Sequence, residues 1–198
     1  MEEDFKNIED KHKILIEKAI SIMKQVEDPK HSIHHVLKVV ENTKEILNNV
    51  KANNEVCIIS AYWHDVGRIK QAKGHALISA EMLKEQMQEL NYESSIIEEC
   101  YKAIYKHSWK QEPETLEGII IRDADKIDFV GIPRWEECIN KNSKFNKIIE
   151  LLPITREKLL KLDISKIMYD RDIVKLIVFL NDKIFDVNEE EKKLWNFM

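Results

Sequence analysis

The stretch E55-VCIISAYWHDVG-67 closes an apolar run with a histidine and an aspartate side by side, His64 and Asp65. Any fold that buries this run carries both into the interior. Burying an imidazole and a carboxylate costs several kcal/mol, roughly, unless something pairs with them. The rest of the chain must therefore bring partners to the end of this segment.

The chain has few ways to turn. With four glycines and four prolines in 198 residues, and many Lys, Glu, Ile and Leu, it points to an all-α fold. That length suffices for one domain with a sizeable core. A first helix is expected from about Ile8 to Val26, with a stripe at Ile14, Ile16, Ala19, Ile20 and Met23. After EDPKHS, Asp28 or Ser32 can cap a helix with apolar positions at 36, 37, 39, 40, 46, 47 and 50. The run EVCIISAYWHDV follows, with Gly67 ending it and Gly74 closing the next loop. HALISAEMLKEQMQEL and SSIIEECYKAIYKHS are two further amphipathic helices. For LEGIIIRDADKID, periodicity leaves strand or helix open; helix is preferred because no other strand exists to pair with it. WEECINKN, TREKLLKL and DIVKLIVFLNDKIFDV complete the helices, and EEEKKLWNFM reads as a mobile or lightly docked tail.

Charge and patterning narrow the function. A net charge of −5 argues against a nucleic-acid surface. No apolar run reaches the roughly 18 residues of a membrane span, and MEEDFKNIEDK is too acidic for a signal peptide. Cys57, Cys100 and Cys138 form no CxxC pair, so a reduced, cytoplasmic protein is expected. GxSxG, P-loop and GxGxxG motifs are absent. All seven histidines lie at or before position 107, and six sit near helix ends that a bundle can bring together.

His35 stands in the first turn of one helix, His64 and Asp65 at the end of another, and Asp125 where IIIRDADKID turns acidic. Imidazoles and carboxylates together suit a divalent metal of the Mn, Fe, Co, Ni or Zn type. Adjacent ligands on a helix diverge by about 100°, so they can meet one ion from two directions or bridge two. Arg68, Lys70 and Lys73 follow the doublet, and guanidinium and ammonium groups suit phosphoryl oxygens; Arg134 offers another. Asp123 and Asp128 flank Asp125, and one of them is expected to orient a ligand. His31 and His34 read as helix-start residues.

The order H-(x28)-H-D-(x59)-D, with HHVLKV, YWHDVGR and DADKID around its members, resembles the HD superfamily of metal-dependent phosphohydrolases over about residues 30 to 135. The resemblance implies an HD-type helical bundle spanning 1–198, with helices in 136–190 packing on the motif-bearing part. It places metal ligands at His35, His64, Asp65 and Asp125. Through GHALISAEML and AIYKHS it places His75 and His107 at a second metal or at substrate phosphate. Lys38 stands where the family usually has arginine. VGRI replaces the acidic pair of guanosine-tetraphosphate hydrolases, and Arg68 replaces the acid of the nucleotidase branch. The implied activity is hydrolysis of a small phosphate ester or nucleotide by metal-activated water, with one or two divalent ions per chain, Mg included among the candidates. The predicted substrate contacts are Arg68, Lys73 and Arg134, with Asp128 behind a ligand. The alternatives are a di-iron oxygenase using six ligands, or a non-catalytic nucleotide- or ligand-sensing module. A small phosphorylated partner is expected, and a homodimer is left open.

Overall fold

The structure is a computed structural model that describes residues 2–108, 110–141 and 146–184. Among these residues it is built from α-helices and short helical turns, with no strand. The order is α1 Glu2–Lys11, α2 Lys13–Met23, α3 Ile33–Leu47, α4 Asn54–Trp63, α5 His75–Glu89, α6 Ser94–Ile104, α7 Leu116–Ile127, α8 Ile132–Asn140, α9 Asn146–Ile154 and α10 Asp163–Ile184. Single 3-10 turns occupy Pro29–His31, Val66–Ile69 and Asp128–Val130, and a π turn covers Thr155–Leu159. No helix among the described residues is long and apolar enough to cross a membrane.

Helix α4 lies at the centre, against α1, α2, α3, α6 and α7. Every residue from Val56 to Gly67 is buried, as a helix apolar on all sides requires. Asn53 starts it by accepting a hydrogen bond from the Val56 amide. At its other end the Trp63 indole donates to the Leu15 carbonyl at 3.1 Å, tying the doublet's helix to α2. Around it, α3 buries Val36, Val39, Val40, Ile46 and Leu47. Leu37 is off that stripe and exposed. Asn42 fixes α3 against α7 by donating to the Ala124 carbonyl, one residue before Asp125. LEGIIIRDADKID is helical to Ile127, with Thr115 capping it through the Gly118 amide.

Four local expectations are corrected. The first helix is two, divided at His12, whose φ of −105° and ψ of 21° turn its ring inward. There it meets the Tyr92 hydroxyl at 2.7 Å and Glu55 at 2.6 Å. The α2 stripe is consequently Leu15, Ile16, Ala19 and Met23, and Ile14 is exposed. Ser32 does not cap α3; its hydroxyl donates to Glu137 of α8, while Asp28 caps the 3-10 turn before it. A helix absent from the sequence reading, α9, occupies NKIIELLPI, Asn146–Ile154. The last helix begins at Asp163 and packs on α7 and α8, and the expected tail EEEKKLWNFM lies outside the described residues.

Gly67 is required for packing rather than for ending a helix. A Cβ there would stand 2.4 Å from the His75 carbonyl oxygen and 2.7 Å from the Ser79 nitrogen, both backbone atoms of α5. Gly74, by contrast, has a φ of 75°, the left-handed conformation that glycine adopts without strain. Gly67→Ala should therefore push α5 away from the doublet. The expected loss is about 2 kcal/mol, a fall in Tm of roughly 4–8 °C for a chain of this size. An unchanged melting curve would contradict the tight packing.

Candidate metal centre

Helix ends from five elements bring His35, His64, Asp65, His75, His107 and Asp125 into one buried cluster. His64 caps α4 with helical backbone, and its Nδ1 donates to the Ala61 carbonyl one turn back, at 2.7 Å. His75 begins α5, and its Nδ1 donates to the Ala72 carbonyl at 2.9 Å. His107 follows α6, and its Nδ1 donates to the Ile104 carbonyl at 2.8 Å. A carbonyl can only accept, so these three rings carry their proton on Nδ1 and leave Nε2 as a bare lone pair. His35 in α3 turns its Nδ1 to the Asp128 carboxylate at 2.7 Å.

The Nε2 atoms face one another. His35 and His64 approach with 3.2 Å between their Nε2 atoms, and His75 and His107 with 3.3 Å. Asp65 lies across both pairs. Its Oδ1 is 3.1 Å from His75 Nε2 and 3.7 Å from His107 Nε2, and its Oδ2 is 3.6 Å from His35 Nε2. Asp125 Oδ1 is 3.5 Å from His35 Nε2. That buried Oδ2 of Asp65 has an ion pair with Arg68 Nε at 2.7 Å but no hydrogen bond. Facing ring nitrogens, beside a buried carboxylate oxygen that has no hydrogen bond, form an environment that a divalent cation would suit.

The donor set fits a divalent ion. His35, His64 and Asp125 each offer an atom within 4.8 Å of the others, and so do His64, Asp65 and His107. Ligands at about 2.0–2.2 Å from a common ion lie within that spread. The two sets share His64, and Asp65 reaches toward both, so one or two ions can be held.

The protonation states suit the same purpose. Burial pulls His35 well below its ordinary value and His107 down to about 4, keeping both neutral. For Asp65, burial raises the pKa, but the Arg68 guanidinium opposes it and the carboxyl is held well below the usual range. For Asp125, burial is opposed chiefly by the Lys126 ammonium, and its carboxyl too is held well below the usual range. Neutral imidazoles and ionised carboxylates are the forms that ligate metals.

The surrounding residues are distributed unevenly. Asp128 stands behind His35, where burial pushes its carboxyl up to about 7 against the pull of Arg134. Asp123 instead accepts the amides of Lys161 and Leu162 and fastens the approach to α10. Arg68 pairs with Asp65 and donates to His75 Nε2 at 3.2 Å. Arg134 is expected at substrate, but the structure places it behind His35. Its guanidinium is buried, pairs with Asp128 at 2.9 Å and touches His35 Nδ1. Lys73 is exposed on the loop before Gly74, and no contact among the described residues joins it to the cluster. His12 and His34 lie outside the cluster.

Two neighbours went unread in the sequence. Lys126 is buried, bonded to Asp125 and over the Phe129 ring. Its signal was present: RDADK puts four charges in five helical residues after an apolar run, which covers every helix face, so some must point inward. His31, read as a helix-start residue, has its ring edge-on to His35 at 5.8 Å.

Comparison with known proteins agrees with this geometry. The HD domain family model matches residues 32–129, which span the four proposed ligands. A predicted HD superfamily hydrolase from an uncultured Thermotogales bacterium superposes with a TM-score of 0.70 at 23% identity, over 88% of this chain and 92% of that one. YpgQ of Bacillus subtilis, whose crystal structure was determined in complex with ADP, superposes with a TM-score of 0.65 at 14% identity, over 92% and 97%. No curated protein matches. With the family match, the ordered His and Asp motifs and the shared helical fold in agreement, the chain is an HD domain protein.

Proposed function

We propose that the protein is a metal-dependent phosphohydrolase acting on a small phosphate ester or nucleotide. The observation that carries this reading is the convergence of four imidazoles, three of them with the proton locked on the far nitrogen, around the buried Asp65 carboxylate, whose Oδ2 has no hydrogen bond. His35, His64, Asp65 and Asp125 would hold the first ion. His107 and His75, with Asp65 between, would hold a second or the substrate phosphate. A bound divalent ion supplies water acidified toward a pKa of about 7 and polarises a phosphoryl oxygen.

The chain's own residues do the rest. Arg68 is the cation at the edge of the cluster, and its fork suits phosphoryl oxygens. Lys126, bonded to Asp125, adds a second positive charge beside the ligands. Lys73 could contribute only by swinging inward from its exposed loop. Arg134, buried behind His35, acts with Asp128 to hold that ring's orientation. Burial of the cluster excludes bulk water and strengthens each of these attractions. In the net reaction a water oxygen bonds to phosphorus, the ester P–O bond breaks, and the alcohol leaves with a proton. The ADP bound to YpgQ supports a nucleotide among the substrates.

A di-iron oxygenase is the second reading, since all six ligands it needs are together, His75 and His107 included. Bound iron with turnover of O₂, and no phosphate released from any ester, would favour it.

Phosphate release from monoesters, diesters and nucleotides, each with Mn, Mg, Co, Ni and Zn, tests the proposal. Wild-type protein is expected to turn over at least one class, and Asp65→Ala to lose at least about a hundredfold while binding less metal, as loss of a ligand is more severe than loss of its support. Hydrolysis unaffected by Asp65→Ala would remove the doublet from the chemistry. A separate measurement concerns the support itself. Asp128→Asn should weaken metal binding by about 10–100-fold, read by competition with a chelator; unchanged affinity would leave Asp128 a packing residue.

A further inference from the structure

One buried histidine, His12, lies outside the metal centre, at the wall of a cleft of about 590 Å³ between the end of α1, the start of α4 and the turn from α5 to α6. The ten residues of α4, at about 1.5 Å each, put this cleft roughly 15 Å from the doublet. Glu55 accepts Lys11 Nζ at 2.7 Å and meets His12 Nε2 at 2.6 Å. An ionised carboxylate can only accept, so Nε2 carries a proton and donates to it. Burial lowers the pKa of His12, which favours the neutral ring and leaves Nδ1 to accept. The hydroxyl that Nδ1 meets at 2.7 Å, that of Tyr92, is then the donor. Tyr92 lines the cleft, half-buried, from a fixed turn: Asn91 closes α5 at a φ of 57°, and the Tyr92 amide bonds back to the Met87 carbonyl at 3.0 Å. Hydroxyl, imidazole and carboxylate thus stand in the order that activates a nucleophilic hydroxyl. A purely structural Tyr92 would need only its ring, stacked on His12 with 5.4 Å between centroids.

We infer that Tyr92 is a second reactive centre, a nucleophile toward small uncharged carboxylic esters, with His12 as its base and Glu55 holding the imidazole. Burial raises the Tyr92 pKa, so the group rests as a hydroxyl and reacts by passing its proton to His12. Tyr92 Oη bonds to the ester carbonyl carbon, the proton moves to His12 Nδ1, the carbonyl C–O bond breaks and the alcohol leaves with that proton. Water then hydrolyses the tyrosyl ester. Helix α6, which has no side-chain cap, begins two residues after Tyr92, and its first amides are donors for the carbonyl oxygen. Leu90 and Ile96 give the cleft apolar wall, while Glu93 and Glu99 disfavour anions, so a neutral ester is admitted ahead of a phosphate ester.

Acetylation of the zinc-loaded protein by p-nitrophenyl acetate, quenched at short times and mapped by mass spectrometry, tests this. Hydroxylamine strips acetyl from tyrosine but not from lysine and so identifies the phenolic esters. Tyr101 is the internal reference, because its hydroxyl donates to Glu81 rather than to an imidazole. At pH 7 Tyr92 should be acetylated at least about a hundredfold faster than Tyr101, the lower end of what a positioned base contributes. Its rate should be level from pH 7 to 9, where His12 is neutral, whereas an unassisted phenol gains about tenfold per pH unit until near its pKa of about 10. Glu55→Gln should slow the reaction at least about tenfold, and the anionic p-nitrophenyl hemisuccinate should label Tyr92 more slowly than the acetate. Labelling of Tyr92 no faster than of Tyr101, a rate that climbs with pH as for a free phenol, or indifference to Glu55→Gln overturns the inference. Equal labelling by the two esters overturns the substrate class assigned to it.

Discussion

The structure depends on where three imidazoles keep their protons. In His64, His75 and His107 a backbone carbonyl within one turn holds Nδ1–H, while His35 Nδ1 faces the Asp128 carboxyl and the Arg134 guanidinium. Each of the three carbonyls lies at or beside a helix end, so each of those Nε2 atoms is aimed as well as deprotonated. The consequence is a set of ring nitrogens 3.2–3.3 Å apart that a cation between them would stabilise. Such an arrangement is unfavourable as an apolar core and is consistent with metal binding, the role proposed for it.

The scaffold sustains that arrangement by surrounding it with apolar contacts. Helix α4 is buried on every face, and burial of each of its large side chains contributes about 1.5–3 kcal/mol. The Trp63 bond to Leu15 and the Asn42 bond to Ala124 place the doublet and Asp125 at fixed heights. Gly67 lets α5 come close enough for His75 to join. The polar cluster thus sits where three tightly fitted helix contacts leave little freedom to relax away from it.

Much of this was legible in the sequence because the relevant signals were local or ordered. The apolar run ahead of His64-Asp65, the histidines confined to the first 107 positions and the acid after IIIRD each mark a helix end. What was not legible depended on tertiary packing. The break at His12 follows from Tyr92 and Glu55, residues 80 and 43 positions away. Arg134 looked like an exposed phosphate ligand because nothing in GIPRWEE shows that α8 turns it toward Asp128. His31 looked like helix-start polarity, since its neighbour across the turn, His35, is met only through folding.

Histidine side-chain ¹⁵N NMR of the metal-free protein, followed by addition of zinc, addresses the central claim most directly. The account predicts the Nδ1–H tautomer for His64, His75 and His107, with Nε2 in the unprotonated range and shifting when zinc is added. Nε2–H tautomers at these positions, or rings indifferent to saturating zinc, would contradict it.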